Sequence, residues 1–505
     1  MKPPKAFVDL RELSTDIHHY TSILTLLHWD QETYMPPGAI GPRSHQISLL
    51  SSFIHEKKTS RKFKETLEKL VSLSTGKVKV KGLGKAEQLM LREWRKDFVR
   101  ENKLPTSFVK DFSQLTSEAS QVWALAKKDN NFKLFAPFLE KIIIANRKKA
   151  EIYGYGDHPY DALLESYEPC MSTKKVETIF DGMQKKLCSL LSKIQDAKPI
   201  DDRFLYKKVD DQKQTKLGEL TLAALPFDME YTRLDFSSHP FSTALHPHDS
   251  RITTRILPQS FLSTIFSVLH EAGHSMYEMG LPLKHWGTPL CAPVSLSIHE
   301  SQSRWWETRI GRSLPFWDHF YPIVQNLIPS LKKIPLSRFY RAINTVTPSF
   351  TRVEADEVTY GLHVIIRFEI EKQLISGDLA VGDLPDAWNG KMKEYLGVTP
   401  PTDALGCLQD IHWSLGDFGY FPTYALGNLF ASQFFSTFEK AFPTWEETVA
   451  QGDFVFIKEW LNTHIHSWGR TYNAEELVKK VTGKTLSEDP YCNYLKKKYS
   501  EIYKL

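Results

Sequence analysis

The segment His270-Glu271-Ala272-Gly273-His274 sets two imidazoles about 40° apart around a helix and one turn apart along it, so both can reach one metal ion. Glu271 stands beside the first histidine, where its carboxylate can take a proton from a metal-activated water without being a ligand itself. The chemistry within reach is zinc-assisted hydrolysis. The bland alternative is a helix with two satisfied histidines and a solvated glutamate, and five residues alone do not separate the two.

A catalytic zinc takes three protein ligands and keeps a fourth position for water. Glu278 is the nearest candidate in sequence, but His270, His274 and Glu278 climb about 12 Å along one helix and cannot easily converge on one ion. A histidine six residues after His274 would complete another common arrangement, and Gly280 stands there instead. The third ligand must then come from another element. Glu300 is the best candidate: Ser297 can cap a helix running to Gly311, with Glu300, Ser303, Arg304 and Glu307 as its polar stripe. The alternative for Glu300 is a surface carboxylate paired with Arg304 one turn away.

These groups need two helices and a turn to bring them together. Phe261, Leu262, Ile265, Phe266, Val268 and Leu269 predict a buried helix entering the HEAGH motif, with Gly280 as its stop. Residues 281–294 are long enough to fold a second helix back beside the first. Between about 219 and 257, Thr, Tyr and short alternation predict a small sheet, whose edge could pair with an extended peptide. Up to about residue 200 the pattern is helical, as in 85–102 and 134–153, with 72–84 as an exposed loop inside one domain. From residue 295 it is helical again, with loops expected at 347–349, 377–386 and 416–424. The fold class is mainly α with one minor sheet beside the metal-binding helix.

At 505 residues the length alone would allow about three domains, though single catalytic units also reach this size. The 12 Trp, 20 Tyr and 30 Phe provide for a large core. With 60 acidic residues mixed among 64 basic ones and no basic arm, nucleic acid is not an expected partner. The opening MKPPKAFVDLRELSTD has early charges and no apolar run of leader length, and no stretch approaches the roughly 18 apolar residues of a membrane helix. Five cysteines, far apart and in no CxxC pair, argue against a disulfide framework. The expected location is the cytoplasm.

Several ordered blocks carry a resemblance. HEAGH and HESQ (299–302) are joined by HPF (239–241), DSRIT (249–253), GCLQDIHW (406–413) and TRVEAD (351–356). In the last of these Thr351 stands where isoleucine is usual. LLHWDQETYMPPG (26–38) and HPYDALLESYEPCM (158–171) look alike as well, with Cys170 in place of an expected glycine. Over nearly its whole length the chain resembles the carboxypeptidase Taq family of zinc metallocarboxypeptidases. The resemblance implies one peptidase unit over 1–505: a helical, saddle-like body with two helical subdomains flanking a deep groove, assembled as a homodimer. It implies peptide substrates with a free C-terminus, broad side-chain acceptance with proline disfavoured, and Zn²⁺ held by His270, His274 and Glu300, which Co²⁺ can replace.

Within those blocks the roles follow from chemistry. A free α-carboxylate is best held by a guanidinium fork, and Arg352 is the candidate, its alternative being an ion pair with Asp356 at i+4. Arg251 is a second candidate, closing the far end of the pocket with Asp249 holding it in place; otherwise it is an ordinary solvated arginine. His412 and Tyr420 can donate to the oxyanion of the tetrahedral intermediate, or simply pack among aromatics. Gln409 and His239 are weaker candidates for orienting the peptide backbone. Two rival readings remain: an oligopeptidase of the neurolysin type, and a peptide-binding module with a vestigial metal site.

Overall fold

The computed structural model describes residues 3–505; Met1 and Lys2, part of the opening read above for a leader, lie outside it. Helices Lys5–Thr33, Ile40–Thr59, Arg61–Leu70 and Lys85–Glu101 open the chain. They bury Phe7, Leu10, Phe63, Leu67, Trp94 and Phe98 in a core of their own. A much larger core takes up the apolar faces of the rest. Segment 72–84 is the expected loop, with one isolated bridge, Val71 to Val78, at its base. Among the described residues no helix is long and apolar enough to cross a membrane, and all five cysteines are free.

The sheet begins later than its sequence window. Asp211–Ala224 is helix, because Leu217, Thr221 and Leu222 recur at helical spacing and are buried. The strands are β1 (Thr232–Phe236), β2 (Ser242–His246) and β3 (Asp249–Thr254), in the order β1-β3-β2, with β1 parallel and β2 antiparallel to β3. Alternation along β3 turns Ser250, Ile252 and Thr254 toward the HEAGH helix. Ser250 Oγ lies 2.5 Å from Ser275 Oγ, and Thr254 Oγ1 lies 2.7 Å from Ser267 Oγ. The outer strand β2 is partly covered: its Leu245 carbonyl accepts from Ser22 of the first helix at 2.5 Å.

The HEAGH helix, Phe261–Met279, buries Phe261, Ile265, Val268, Leu269, Ala272, Met276 and Tyr277. A helix apolar on nearly every side is a core helix, and it stops at Gly280 as its sequence predicts. Two short turns, Leu283–His285 and Pro289–Cys291, then bring the chain back as the HESQ helix, Leu296–Arg304. Its cap is Ser295 rather than Ser297. Ser295 Oγ accepts from Ile298 N at 3.2 Å, while Ser297 N donates to the buried Glu168 carboxylate. Beyond Arg304 the helix widens into a π turn, Trp305–Ile310, before Gly311.

Two glycines let the HESQ helix sit between its neighbours. A methyl group on Gly273 would come within 2.6 Å of Ser303 Cα. On the other side, in helix Pro422–Ala441, a methyl on Gly427 would come within 2.7 Å of Glu300 Cβ. Two expected loops are shorter than their windows, since helices begin at Leu384 and Pro422 with a proline in their first turns.

Candidate active site

His270, His274 and Glu300 converge, with one ligand atom from each lying within 4.8 Å of the others. Glu300 Oε2 is 3.7 Å from His270 Nε2 and 3.6 Å from His274 Nε2. Tetrahedral ligands on bonds of ~2.1 Å stand about 3.4 Å apart, so the donor set fits a cation of zinc's size and preference. Glu300 is 7% exposed and does not pair with Arg304, which binds Asn428 Oδ1 at 2.8 Å and Glu307 Oε2 at 2.7 Å.

The rear of each imidazole is held as well. His270 Nδ1 lies 2.8 Å from Glu307 Oε2, and His274 Nδ1 lies 2.5 Å from His299 Nδ1. His299 Nε2 in turn meets Glu278 Oε1 at 2.9 Å. Such partners fix ring orientation and leave both Nε2 atoms aimed at the shared point. Glu278, rejected on spacing as a ligand, therefore supports the centre through His299. Burial opposes a charged His270, but Glu300 and Glu307 outweigh it and raise its pKa to about 9. Two carboxylates thus face the His270 ring, Glu300 on its Nε2 side and Glu307 on its Nδ1 side. Burial also works against Glu307, yet Arg304 and His270 hold it well below the usual carboxylate range.

Glu271 projects from the same helix and is 8% exposed. Burial raises its carboxyl to about 7; Glu300 adds to the rise, while His270 and the nearby Ser242 of β2 oppose it. A carboxyl titrating near neutrality can both take and return a proton.

A second charged cluster surrounds Arg352. Its Nη2 lies 2.9 Å from Asp410 Oδ1, and Arg367 Nε lies 2.7 Å from Asp410 Oδ2. The expected alternative, a pair with Asp356, does not form. Asp356 Oδ1 accepts from Val358 N and Thr359 N at 2.9 and 3.0 Å, starting the helix Thr359–Ser376. Burial would raise Asp410, but Arg367 and Arg352 keep it well below its ordinary range. The cluster joins the metal-side residues through one tyrosine: Arg352 Nη1 reaches Tyr360 Oη at 3.4 Å, and Arg304 lies 4.8 Å from the centre of the same ring.

His412 and Tyr420 pack with Phe421 and Tyr424 beside this cluster. His412 Nε2 is 3.3 Å from Tyr424 Oη, and its ring is 5.3 Å from that of Tyr420. Burial lowers His412 to about 4, with Arg352 and Arg367 adding to the effect against Asp410. Burial raises the Tyr420 hydroxyl, so it stays protonated. The supporting loop is pinned by the buried Glu371, which accepts from Tyr160 Oη (2.6 Å), Trp413 Nε1 (2.8 Å) and Gly419 N (3.1 Å).

The three remaining candidates take the following places. Gln409 does not present its amide to a peptide: its oxygen accepts from Arg352 N and Arg367 Nη2, and its nitrogen donates to the Phe350, Leu405 and Gly406 carbonyls. Arg251 is held by Asp249 as expected, at 3.0 and 3.1 Å. It lies on the sheet face away from the HEAGH helix, though, 4.3 Å from the Trp29 ring centre. His239 is exposed in the connection between β1 and β2, where its carbonyl accepts from Ser237 Oγ at 2.5 Å. Glu307, Asp410, Arg367 and Tyr424 were missed as site residues. Glu307, Asp410 and Tyr424 lie in segments the sequence already singles out, whereas nothing in the sequence points to Arg367.

The profile of the Carboxypeptidase Taq (M32) metallopeptidase family matches residues 9–499. The chain is 38% identical to thermostable carboxypeptidase 1 of Thermus thermophilus over the full length of both. It is 38% identical to carboxypeptidase 1 of Bacillus subtilis, covering 99% of each. The crystal structure of the M32 carboxypeptidase from Deinococcus radiodurans superposes with a TM-score of 0.96 at 34% identity, covering 99% of this chain and 100% of that one. Joined to a convergent two-histidine, one-glutamate centre, these likenesses leave one conclusion: the chain belongs to the carboxypeptidase Taq (M32) family and is a metallocarboxypeptidase.

Proposed function

We propose that this enzyme is zinc-dependent and releases C-terminal residues one at a time from peptides of broad sequence, with His270, His274 and Glu300 as the metal ligands. A cation bound there supplies Lewis acidity, making a water nucleophilic near neutral pH and polarising the scissile carbonyl. Glu271 takes the proton of that water and returns it to the departing amine. Tyr420, kept protonated by burial, and His412 donate toward the developing oxyanion. Co²⁺ accepts the same nitrogen and oxygen donors and would substitute.

The observation that carries the exopeptidase reading is the charge balance around Asp410. Two buried guanidiniums, Arg352 and Arg367, share one carboxylate, which leaves one positive charge to be met by an incoming anion. A substrate α-carboxylate supplies it, and Arg352, at 7% exposure against 0% for Arg367, is the one within reach. Disfavour toward proline, a homodimer, a cytoplasmic location and a single catalytic unit with two helical parts beside the groove belong to the same proposal. They rest on the family likeness.

The deciding experiment is timed mass spectrometry on a peptide supplied as free acid and as C-terminal amide, with and without chelator. A chelator-sensitive ladder from the free acid alone is expected. Internal cleavage of the amide at similar speed would make the enzyme an oligopeptidase, and a metal-loaded protein inert toward both would leave only a binding module.

A further inference from the structure

The segment bearing Arg352 joins helix Leu336–Ile343 to helix Thr359–Ser376 and has no regular structure of its own. At its middle it is tied to Gln409, through Arg352 N and the Phe350 carbonyl, each at 3.0 Å. Both of its ends are held by one other element, the C-terminal helix Asp489–Tyr503. Near the start, Val346 N donates to Tyr503 Oη at 2.7 Å. Near the finish, the Glu357 carboxylate, 3% exposed, pairs with Lys498 and accepts from Tyr494 Oη and Tyr499 Oη at 3.0 Å each. The Glu357 carbonyl accepts from Tyr491 Oη at 2.7 Å.

Five side chains of one helix thus commit their polar ends to the two margins of one loop. A buried ion pair of this kind adds little net stability over well-packed apolar side chains, because both ions lose their hydration. What it does fix is geometry. A two-pronged contact between a guanidinium and a carboxylate tolerates little misplacement. Arg352 is already constrained from the front by Asp410, so the backbone behind it sets how far its fork can extend.

We infer that the C-terminal helix is a clasp for the Arg352 segment, with Lys498 and Tyr503 as positioning residues that set the enzyme's preference for a free terminal carboxylate over a blocked one. The inference rests on Arg352 being the carboxylate-binding residue.

The test uses a dipeptide with a reduced, uncleavable peptide bond, as free acid and as C-terminal amide, together with a cleavable free-acid tripeptide. Tyr503→Phe removes only the acceptor for Val346 N. It should weaken binding of the free-acid inhibitor and raise the KM of the tripeptide about tenfold, with kcat within about twofold and with amide affinity and bound metal unchanged. Lys498→Met should act in the same direction and more strongly; should it fail to fold, Tyr503→Phe carries the test alone. The clasp is overturned if Tyr503→Phe lowers thermal stability with the free-acid to amide ratio intact, or if both inhibitors weaken equally. Arg352→Met separates the two readings. If it abolishes the ratio while Tyr503→Phe leaves it alone, only the clasp fails; if it leaves the ratio intact, the carboxylate reading itself fails.

Discussion

In the proposed mechanism Glu271 accepts a proton at one step and releases it at another, and its setting suits both. Burial among carboxylates raises it to about 7, while Ser242 and the flanking histidine limit the rise. Glu271→Gln keeps the shape and removes the basic oxygen. We expect kcat to fall by roughly 10²- to 10⁴-fold with metal content and peptide affinity near those of the parent, read by steady-state kinetics beside metal analysis. A variant within tenfold of the parent would remove Glu271 as the base. At this scale the sequence was legible where chemistry is local. The spacing of His270 and His274 on one helix announced a shared target, and Glu278 could be set aside as a ligand by its rise along the helix. Arg352 shows the opposite case. Asp356 at i+4 was the natural partner to read, yet that carboxylate caps the next helix, and the true partner, Asp410, lies 58 residues away. Only the packing of two loops makes that pair.

Two parts of the site are each fastened by a buried carboxylate from a neighbouring segment. Glu168 holds the start of the HESQ helix through Ser295 and Ser297, and Glu371 holds the loop of Trp413 and Gly419. Burial raises each to about 7. A carboxyl whose folded pKa lies above its ordinary value binds its proton more tightly in the folded state. Its contribution is therefore complete below the ordinary carboxylate range and lost as pH rises through 7. For Glu371 the full effect is of order 3 kcal/mol. Denaturant unfolding of the parent should show stability falling from about pH 4.5 to about pH 7 and levelling off above it, and Glu371→Gln should flatten that slope, leaving the part due to Glu168 and Glu271. An unchanged slope would mean Glu371 ionises in the fold as it does in water. These fastenings explain which elements could be read in advance. The HEAGH helix and its return were legible from apolar period and loop length. The π turn after Arg304 was not, since Trp305 and Trp306, both fully buried, take their places from the surrounding core rather than from local preference. The sheet window opened too early because helix Asp211–Ala224 shares its small and β-branched residues with a strand.

For the whole molecule the decisive division is between two cores. The core of the first four helices draws on residues from Phe7 to Phe98 and on Leu290, whereas His270, His274, Glu300, Arg352 and Glu371 all sit on elements of the larger one. Glu300 and Glu307 give the pocket its negative character, and Arg304 pairs with Glu307 beside it. A cation held there, as proposed, would stabilise the larger core by bridging two helices. Mass action sets the scale: free metal at a thousand times its Kd adds about 4 kcal/mol to the folded state. Chelation should lower the main calorimetric transition by several degrees, and Zn²⁺ should restore it. The same treatment should leave the rate of proteolytic cutting at 72–84 unchanged, because that loop belongs to the first core. If chelation speeds cutting there as much as it lowers the main transition, the two cores unfold as one body. If it changes neither, the convergent triad does not bind the metal on which the fold depends.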